Sequence, residues 1–456
     1  MIDRPLRIAV VGSGPAALYG IGQLLDAADA DAEIDVFERL PVPWGLVRGA
    51  VAPDHPEKKA VIDRQFAHFL RDRRVRFLGN VEIGRDVSAA ELSDWYDAVL
   101  YATGADGDVA MDIPGETLSG SWASRDFVGF YSGHADFSHL RFDLGCSRAV
   151  IVGNGNVALD LARMLTLPLA ELERTDIADH ALEALRGSAI REVVILARRG
   201  AAQAAFNNPE LEELEHLPDV GIEVLDRGTI AAADLAGVDG VVQRKLQTLR
   251  RLHARAGRPG DRRITFSFLV SPVEIRGAGH VERLIATRNA LRPTAAGFEA
   301  VPTSETIEIE TGLVLRAVGY RGTPLPGLPF DPVKGVIANL DGRVADGGRV
   351  LPGMYVAGWA KRGCRGIIGT NRKCAADTLR HFFEDRRAGR LRPGSLDRQG
   401  VVDLLRARGL MIMTHAGWTA IDRAERRAGR RCDRPRVKLT DRAAMLECAG
   451  LVSARA

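Results

Sequence analysis

Two stretches of this sequence carry residues of the right type and spacing to cradle a pyrophosphate. Gly12, Gly14 and Ala17 fall as G-x-G-x-x-A after the mainly apolar run 7–11, and Gly153, Gly155 and Ala158 repeat the pattern after residues 149–152. In such a loop the first glycine permits a tight turn and the second lets phosphate oxygens approach the backbone. The small third residue lets the next helix pack close to its strand. The helix N-terminus adds oriented N–H groups and partial positive charge. Pro15 falls in the first helical turn, where a missing N–H costs nothing. One such loop is also compatible with a plain structural turn, so its surroundings decide.

The surroundings differ in a chemically meaningful way. The strand after the first loop, residues 34–39, carries Glu38, 21 residues past Ala17. A carboxylate there suits the two hydroxyls of an adenosine ribose. The strand after the second loop, residues 192–200, carries Arg198 and Arg199 instead. Two guanidiniums suit a ribose 2′-phosphate, which an acid would repel. The first site therefore reads as one for FAD and the second as one for NADP(H).

These loops require strand–loop–helix–strand units, so the fold class is α/β with two dinucleotide-binding, Rossmann-like domains. The gap from Ala158 to Arg198 is 40 residues, about twice the usual ~20, and residues 166–190 read as an inserted helical segment. Residues 96–106, "YDAVLYATGAD", and 313–322, "LVLRAVGYRG", are apolar strands ending in turns. They mark where the chain leaves and re-enters its first domain. The expected division is an FAD-binding domain at 1–106 and 322–456, discontinuous around an inserted NADP-binding domain at 107–321. Residues 400–456 look largely helical, with a break at 430–436.

The chain has 456 residues and a formal net charge of +3, so nothing demands a nucleic-acid or membrane partner. Its five cysteines, Cys146, Cys364, Cys374, Cys432 and Cys448, form neither a CxxC pair nor a zinc spacing. That pattern suits a reducing, cytoplasmic setting, and no metal site is expected. The N-terminus reads as a buried first strand rather than a signal peptide.

Residues 41–56, "PVPWGLVRGAVAPDHP", hold four prolines and exclude a regular helix or a central strand. Here the sequence becomes specific. With "VGNGNVALD" (152–160), "ARRGAAQAAFNNPEL" (197–211), "RAVGYRGTPLPGLPFD" (316–331), "GWAKRGCRGIIGTN" (358–371) and "RPRVKL" (434–439), it closely resembles the adrenodoxin reductase family, including the actinobacterial NADPH–ferredoxin reductases. The resemblance runs over nearly the whole chain. It implies FAD contacts at Pro15, Glu38, Leu46, Val81 and Trp359 and at the backbone of Gly366, Ile367 and Ile368, with Gly366 where nicotinamide and flavin meet. It implies NADP contacts at Asn154, Gly155, Asn156, Val157, Arg198, Arg199 and Glu210. It also puts His55, Glu213 and Asp160 near the nicotinamide in hydrogen-bonding, orienting or proton-handling roles. Taken alone, His55 reads as a turn residue and Glu213 as a solvated carboxylate. The family usually shows R-G-P-T-G where this chain has Cys364 and Arg365 before Gly366, and often S-G-V-A-P where it has Gly49, Ala50 and Val51.

The activity implied is transfer of a hydride from NADPH to FAD, then of single electrons to a ferredoxin-type iron–sulfur protein, which could in turn feed a cytochrome P450. An acidic ferredoxin would be steered to a basic face. Residues 241–263 hold eight Arg or Lys against one Asp, and at helical spacing Arg244, Arg251 and Arg255 share a side. A solvated basic face with no partner explains the same charges equally well. A disulfide reductase of this architecture would carry a CxxC pair. An electron-input subunit would place cysteines nearer the N-terminus than Cys146. A redox sensor binding both nucleotides without passing electrons on stays open.

Overall fold

In a computed structural model the chain is described over residues 4–27, 31–225, 230, 238–254, 262–295 and 297–451. It separates into two compact units. The first takes the chain up to Val51, His55–Asp108, and everything from Tyr320 onward; the second takes Ala52–Asp54 and Val109–Gly319.

The first unit is built on a seven-stranded sheet in the order Asn339–Leu340, Arg343–Asp346, Arg349–Val356, Ala98–Tyr101, Leu6–Val11, Ala32–Glu38, Val75–Gly79. From Arg349–Val356 to Val75–Gly79 every pairing is parallel. Leu6–Val11 is buried along its whole length because helices cover both faces of such a sheet. The helix Pro15–Asp26 follows directly, with Gly14 as its N-cap. The tail adds helices Arg398–Ala407, His415–Arg430 and Arg442–Cys448, separated by turns where the prolines and glycines fall.

The second unit repeats the scheme. Its six-stranded sheet runs Ser121–Ala123, Leu313–Arg316, Arg148–Val152, Glu192–Ala197, Arg262–Phe268, Val220–Leu225, all parallel. Helix Asn156–Thr166 leaves the second loop with Gly155 as its N-cap. The segment expected to be an insertion holds two short helices, Leu169–Leu172 and Asp179–Arg186. One element was not anticipated: a three-stranded antiparallel sheet of Val270–Arg276, Arg283–Thr294 and Gly297–Glu310. One boundary also shifts. The strand expected over 192–200 ends at Ala197, because the carbonyls of Arg198 and Arg199 bond to residues of that extra sheet and to Leu269 rather than to the ladder.

Among the described residues no helix is long and apolar enough to cross a membrane.

Candidate functional site

In both units the glycine loop leaves the carboxyl end of a strand flanked on either side by parallel neighbours, where α/β sheets open a crevice for ligands. The first glycine of each loop is locked by geometry. Gly12 has φ +100°, and a Cβ there would lie 2.6 Å from the Ala102 carbonyl oxygen; Gly153 has φ +120°, and a Cβ would lie 2.2 Å from that of Ala317. The second glycine of each loop is different. A Cβ on Gly14 or Gly155 would meet nothing within 4 Å. The backbone there borders open space at a helix N-terminus, which is what an approaching pyrophosphate needs.

The two strand ends differ in their surroundings. Glu38 is buried; its carboxylate accepts from the Ser13 hydroxyl (2.6 Å), the Ser13 N–H (3.1 Å) and the Leu40 N–H (3.0 Å). Three donors thus hold it in one place beside the first loop. Ser13, the x of G-x-G, was missed at sequence level. Arg198 is exposed and Arg199 half-buried, and among the described residues no carboxylate pairs with either. The second loop is tied to the segment that follows them: Asn156 Oδ1 accepts from Asn207 N–H (2.8 Å) and Asn154 O from Phe206 N–H (3.0 Å). These bonds tie the loop to the segment that leads into helix Asn208–Glu213, whose first turn carries Glu210.

Asp160 and Glu213 come together in the second unit through a residue not foreseen. Arg163, 1% exposed, donates from Nη2 to Asp160 (2.7 Å) and from Nε to Asp54 (2.7 Å), and its Nη1 lies 3.6 Å from Glu213. Burial disfavours the guanidinium charge, but Asp160 and Asp54 outweigh it and raise its pKa. His55, in the first unit, is buried with Nδ1 3.0 Å from Lys58 Nζ.

In the first unit Trp359 opens a four-residue helix capped by Gly358, and its indole N–H donates to Arg365 O (3.2 Å). Gly366 has φ +84°, and Ile367 N–H donates to the Thr370 hydroxyl (3.2 Å); Ile367 is 61% exposed. The loop Trp359–Ile368 thus turns a backbone edge and an apolar side chain outward. Cys364 in this loop is half-buried, and burial pushes its thiol up to about 11. Leu46 is exposed, whereas Val81 is buried in the core with its N–H donated to Glu38 O (3.0 Å).

Residues 6–247 match the family of pyridine nucleotide-disulphide oxidoreductases. The NADPH-ferredoxin reductase FprA of Mycobacterium tuberculosis is 47% identical over 457 residues, 97% of this chain and 99% of the relative. The mitochondrial NADPH:adrenodoxin oxidoreductase of Arabidopsis thaliana is 40% identical over 96% of this chain and 94% of its own length. The chain belongs to the adrenodoxin reductase family. A solved structure of Mycobacterium tuberculosis FprA in complex with NADPH superposes on it with a TM-score of 0.92, at 45% identity, covering 98% of this chain and 100% of that one.

In this adrenodoxin reductase relative the C-terminal tail has a structural task that its sequence did not disclose. Glu425, in helix His415–Arg430, is 1% exposed and accepts from Arg48 (2.9 and 2.5 Å), Arg436 (2.9 Å) and the Leu439 N–H (2.9 Å). Trp418 stacks edge-on with Trp44 at 6.2 Å, and the Arg48 guanidinium lies 5.4 Å from the Trp418 ring. The proline-rich segment is thereby clamped from behind.

The basic helix spans Gly240–His253 with Leu249 and Leu252 buried. Arg244 and Arg251 are exposed, but Arg244 pairs with Glu212 (2.5 Å) and Arg251 with Glu215 (2.8 Å), which reduces the field they present. Arg255 lies outside the described residues.

Proposed function

We propose that this chain is an FAD-dependent NADPH–ferredoxin oxidoreductase, holding FAD in the first unit and NADP(H) in the second. One observation carries the assignment of the two sites. Two loops with the same geometry, each with open space above its second glycine, stand beside opposite charges: a fixed carboxylate at Glu38 and two arginines, Arg198 and Arg199, with which no carboxylate pairs among the described residues. FAD, when bound, supplies the conversion of a two-electron hydride into single electrons. The chain's own residues bind and orient. Gly12, Gly14, Pro15 and Ala17 present a helix N-terminus to one pyrophosphate, and Gly153–Val157 present another. Glu38 receives ribose hydroxyls; Arg198 and Arg199 receive a 2′-phosphate, with Glu210 nearby. Leu46, Val81, Trp359 and Gly366–Ile368 border the flavin.

His55, Asp160 and Glu213 are assigned to the nicotinamide as hydrogen-bonding and orienting groups. Arg163 donates to Asp160 and holds its carboxylate in one place. The expected docking face for an acidic ferredoxin is the helix Gly240–His253 through Arg244 and Arg251. A cytoplasmic location is part of the same reading, in keeping with five free cysteines.

The experiment is to mix the yellow holoprotein anaerobically with NADPH or NADH, follow flavin absorbance, then add oxidised ferredoxin. Fast bleaching by NADPH, slow bleaching by NADH and recovery of colour with ferredoxin are expected. No bleaching with FAD bound would leave a nucleotide-binding sensor instead.

A further inference from the structure

The turn that carries Arg198 and Arg199 is held by an arrangement that regular sheet pairing would not produce. Helix Asn156–Thr166 and the parallel strands set the loop, but the backbone of the arginine pair is gripped from the antiparallel sheet. Asn289 Nδ2 donates to the Arg198 carbonyl (2.8 Å) and to the Ser271 hydroxyl (2.8 Å). The Leu269 N–H donates to the Arg199 carbonyl (3.2 Å), and Leu269 O accepts from the Asn289 N–H (2.8 Å). Both consecutive carbonyls are thus fixed, by two residues that are bonded to each other.

Three features mark this as costly to build. Asn289 is 6% exposed, a polar side chain turned inward on the face where Leu284 and Ala286 are buried. The register of strand Arg283–Thr294 against Gly297–Glu310 shifts between Thr287 and Asn289, and such a bulge re-aims the side chain beside it. Leu269, also buried, has φ +59°, a left-handed backbone that a leucine adopts only under constraint. The asparagine amide spends both donors on the grip, and its Oδ1 is buried with no donor among the described residues. A flipped amide would set oxygen against the Arg198 carbonyl, so the donors decide the orientation.

We propose that Asn289, with Leu269, is the positioning element for coenzyme selection: it fixes the turn so that the two guanidiniums converge on a 2′-phosphate. This rests on the assignment of Arg198 and Arg199 to that phosphate. The grip acts on backbone carbonyls, so no side chain of the pair is neutralised by it. Bidentate contacts to phosphate demand a fixed fork geometry, so a loosened turn loses phosphate binding while the pyrophosphate loop, held by its own bonds, keeps its shape.

The test uses the FAD-loaded protein and two probes, adenosine 2′,5′-bisphosphate and 5′-AMP, with affinities measured by calorimetry. Asn289→Leu keeps the branched heavy-atom skeleton and removes the donors. The expected result is a Kd for the 2′,5′-bisphosphate raised about tenfold, the factor that ~1.4 kcal/mol represents, with the Kd for 5′-AMP and the flavin spectrum unchanged. A merely structural asparagine would weaken both probes alike, and that result, or no change in either, overturns the inference. If Asn289→Leu does not accumulate, Ser271→Ala removes one of the bonds orienting the amide; a smaller fall in the ratio of the two affinities supports the inference and an unchanged ratio overturns it. Arg198→Ala and Arg199→Ala run alongside. If neither weakens the 2′,5′-bisphosphate, the arginine assignment itself fails; if they do and the Asn289 and Ser271 variants do not, only the positioning role fails.

Discussion

Replacing Glu425 by Gln removes one negative charge from a site where two guanidiniums depend on it. Its side chain is fully buried, that of Arg48 is 8% exposed, and four donors converge on the carboxylate. An amide keeps the size but loses the charge and turns a donor toward a guanidinium. Breaking a buried ion pair from one side costs about 3–5 kcal/mol. At about 2–4 °C per kcal/mol for units of this size, the melting temperature of the first unit should fall by roughly 6–20 °C. The effect should also reach the flavin site, because the clamped segment leads straight to it. Trp44 adopts φ +89° and packs edge-on against Trp418, and Gly45 packs so close that a Cβ on it would lie 2.9 Å from Gly14 Cα. If only ~1.4 kcal/mol of the loss is felt at the phosphate loop, the FAD Kd rises about tenfold.

The assay is FAD content after gel filtration, followed by flavin fluorescence during heating. The pH dependence gives a second reading. Burial opposes ionisation of Glu425, but Arg48 and Arg436 outweigh it and hold the carboxyl below its ordinary range. A depressed pKa contributes stability that is present above the unfolded value of about 4.3 and is lost as pH falls through the folded value. The wild-type protein should therefore lose stability more steeply than Glu425→Gln below about pH 4.3. A variant that melts early yet keeps its FAD with unchanged affinity would refute the link from tail to flavin site; an unchanged melting temperature would refute the buried ion pair as well.

Three further outcomes follow from the same geometry. Gly155→Ala should melt like the wild type, since its Cβ meets nothing, but bind NADP⁺ weakly, whereas Gly153→Ala should misfold or melt early because its Cβ would collide with the Ala317 carbonyl; equal melting temperatures for the two would show that the loop geometry is wrong. Arg163→Met should slow flavin bleaching by NADPH about tenfold or more while leaving FAD content intact, since misplaced orienting groups cost that order of rate; stopped-flow bleaching at the wild-type rate would remove Arg163 from any role in the site. Arg244→Glu with Arg251→Glu should lower kcat/KM for ferredoxin and flatten its dependence on salt; unchanged salt dependence would place docking on another face.

What could be read in the sequence is what fits inside a short window. A glycine loop, its strand and its helix occupy about 30 residues, and the acid or arginines at the next strand end follow within the same supersecondary unit. Both glycine triplets lead from a strand into a helix and Glu38 ends the next strand, whereas Arg198 and Arg199 fall just past the end of theirs, 40 residues beyond Ala158. The NADP-side gap of 40 residues was also legible, because helix-forming residues fill it and two helices form there.

Arg163, Glu425 and Asn289 lie outside that reach for one physical reason: the partner that gives each its meaning is far away in sequence. Glu425 meets Arg48 across 377 positions, Arg163 meets Asp54 across 109, and Asn289 meets Arg198 across 91. A weak local signal existed for Arg163. It sits in a helix where Ala158, Leu159, Leu161, Ala162, Met164 and Leu165 are all buried, and a helix apolar on every side leaves a charged residue nowhere to reach water. Such a residue must find a counter-charge, and Asp160, one turn earlier, was in plain view as half of the answer. Asn289 offered no such cue, because its inward direction depends on a bulge one residue away. A one-residue slip exchanges the faces of a strand, so alternation alone assigns Asn289 to whichever side the unseen bulge permits. The residues that position a site are therefore harder to find from sequence than those that touch the ligand: contact residues repeat a local pattern, while positioning residues are defined by the long-range packing that the fold brings about.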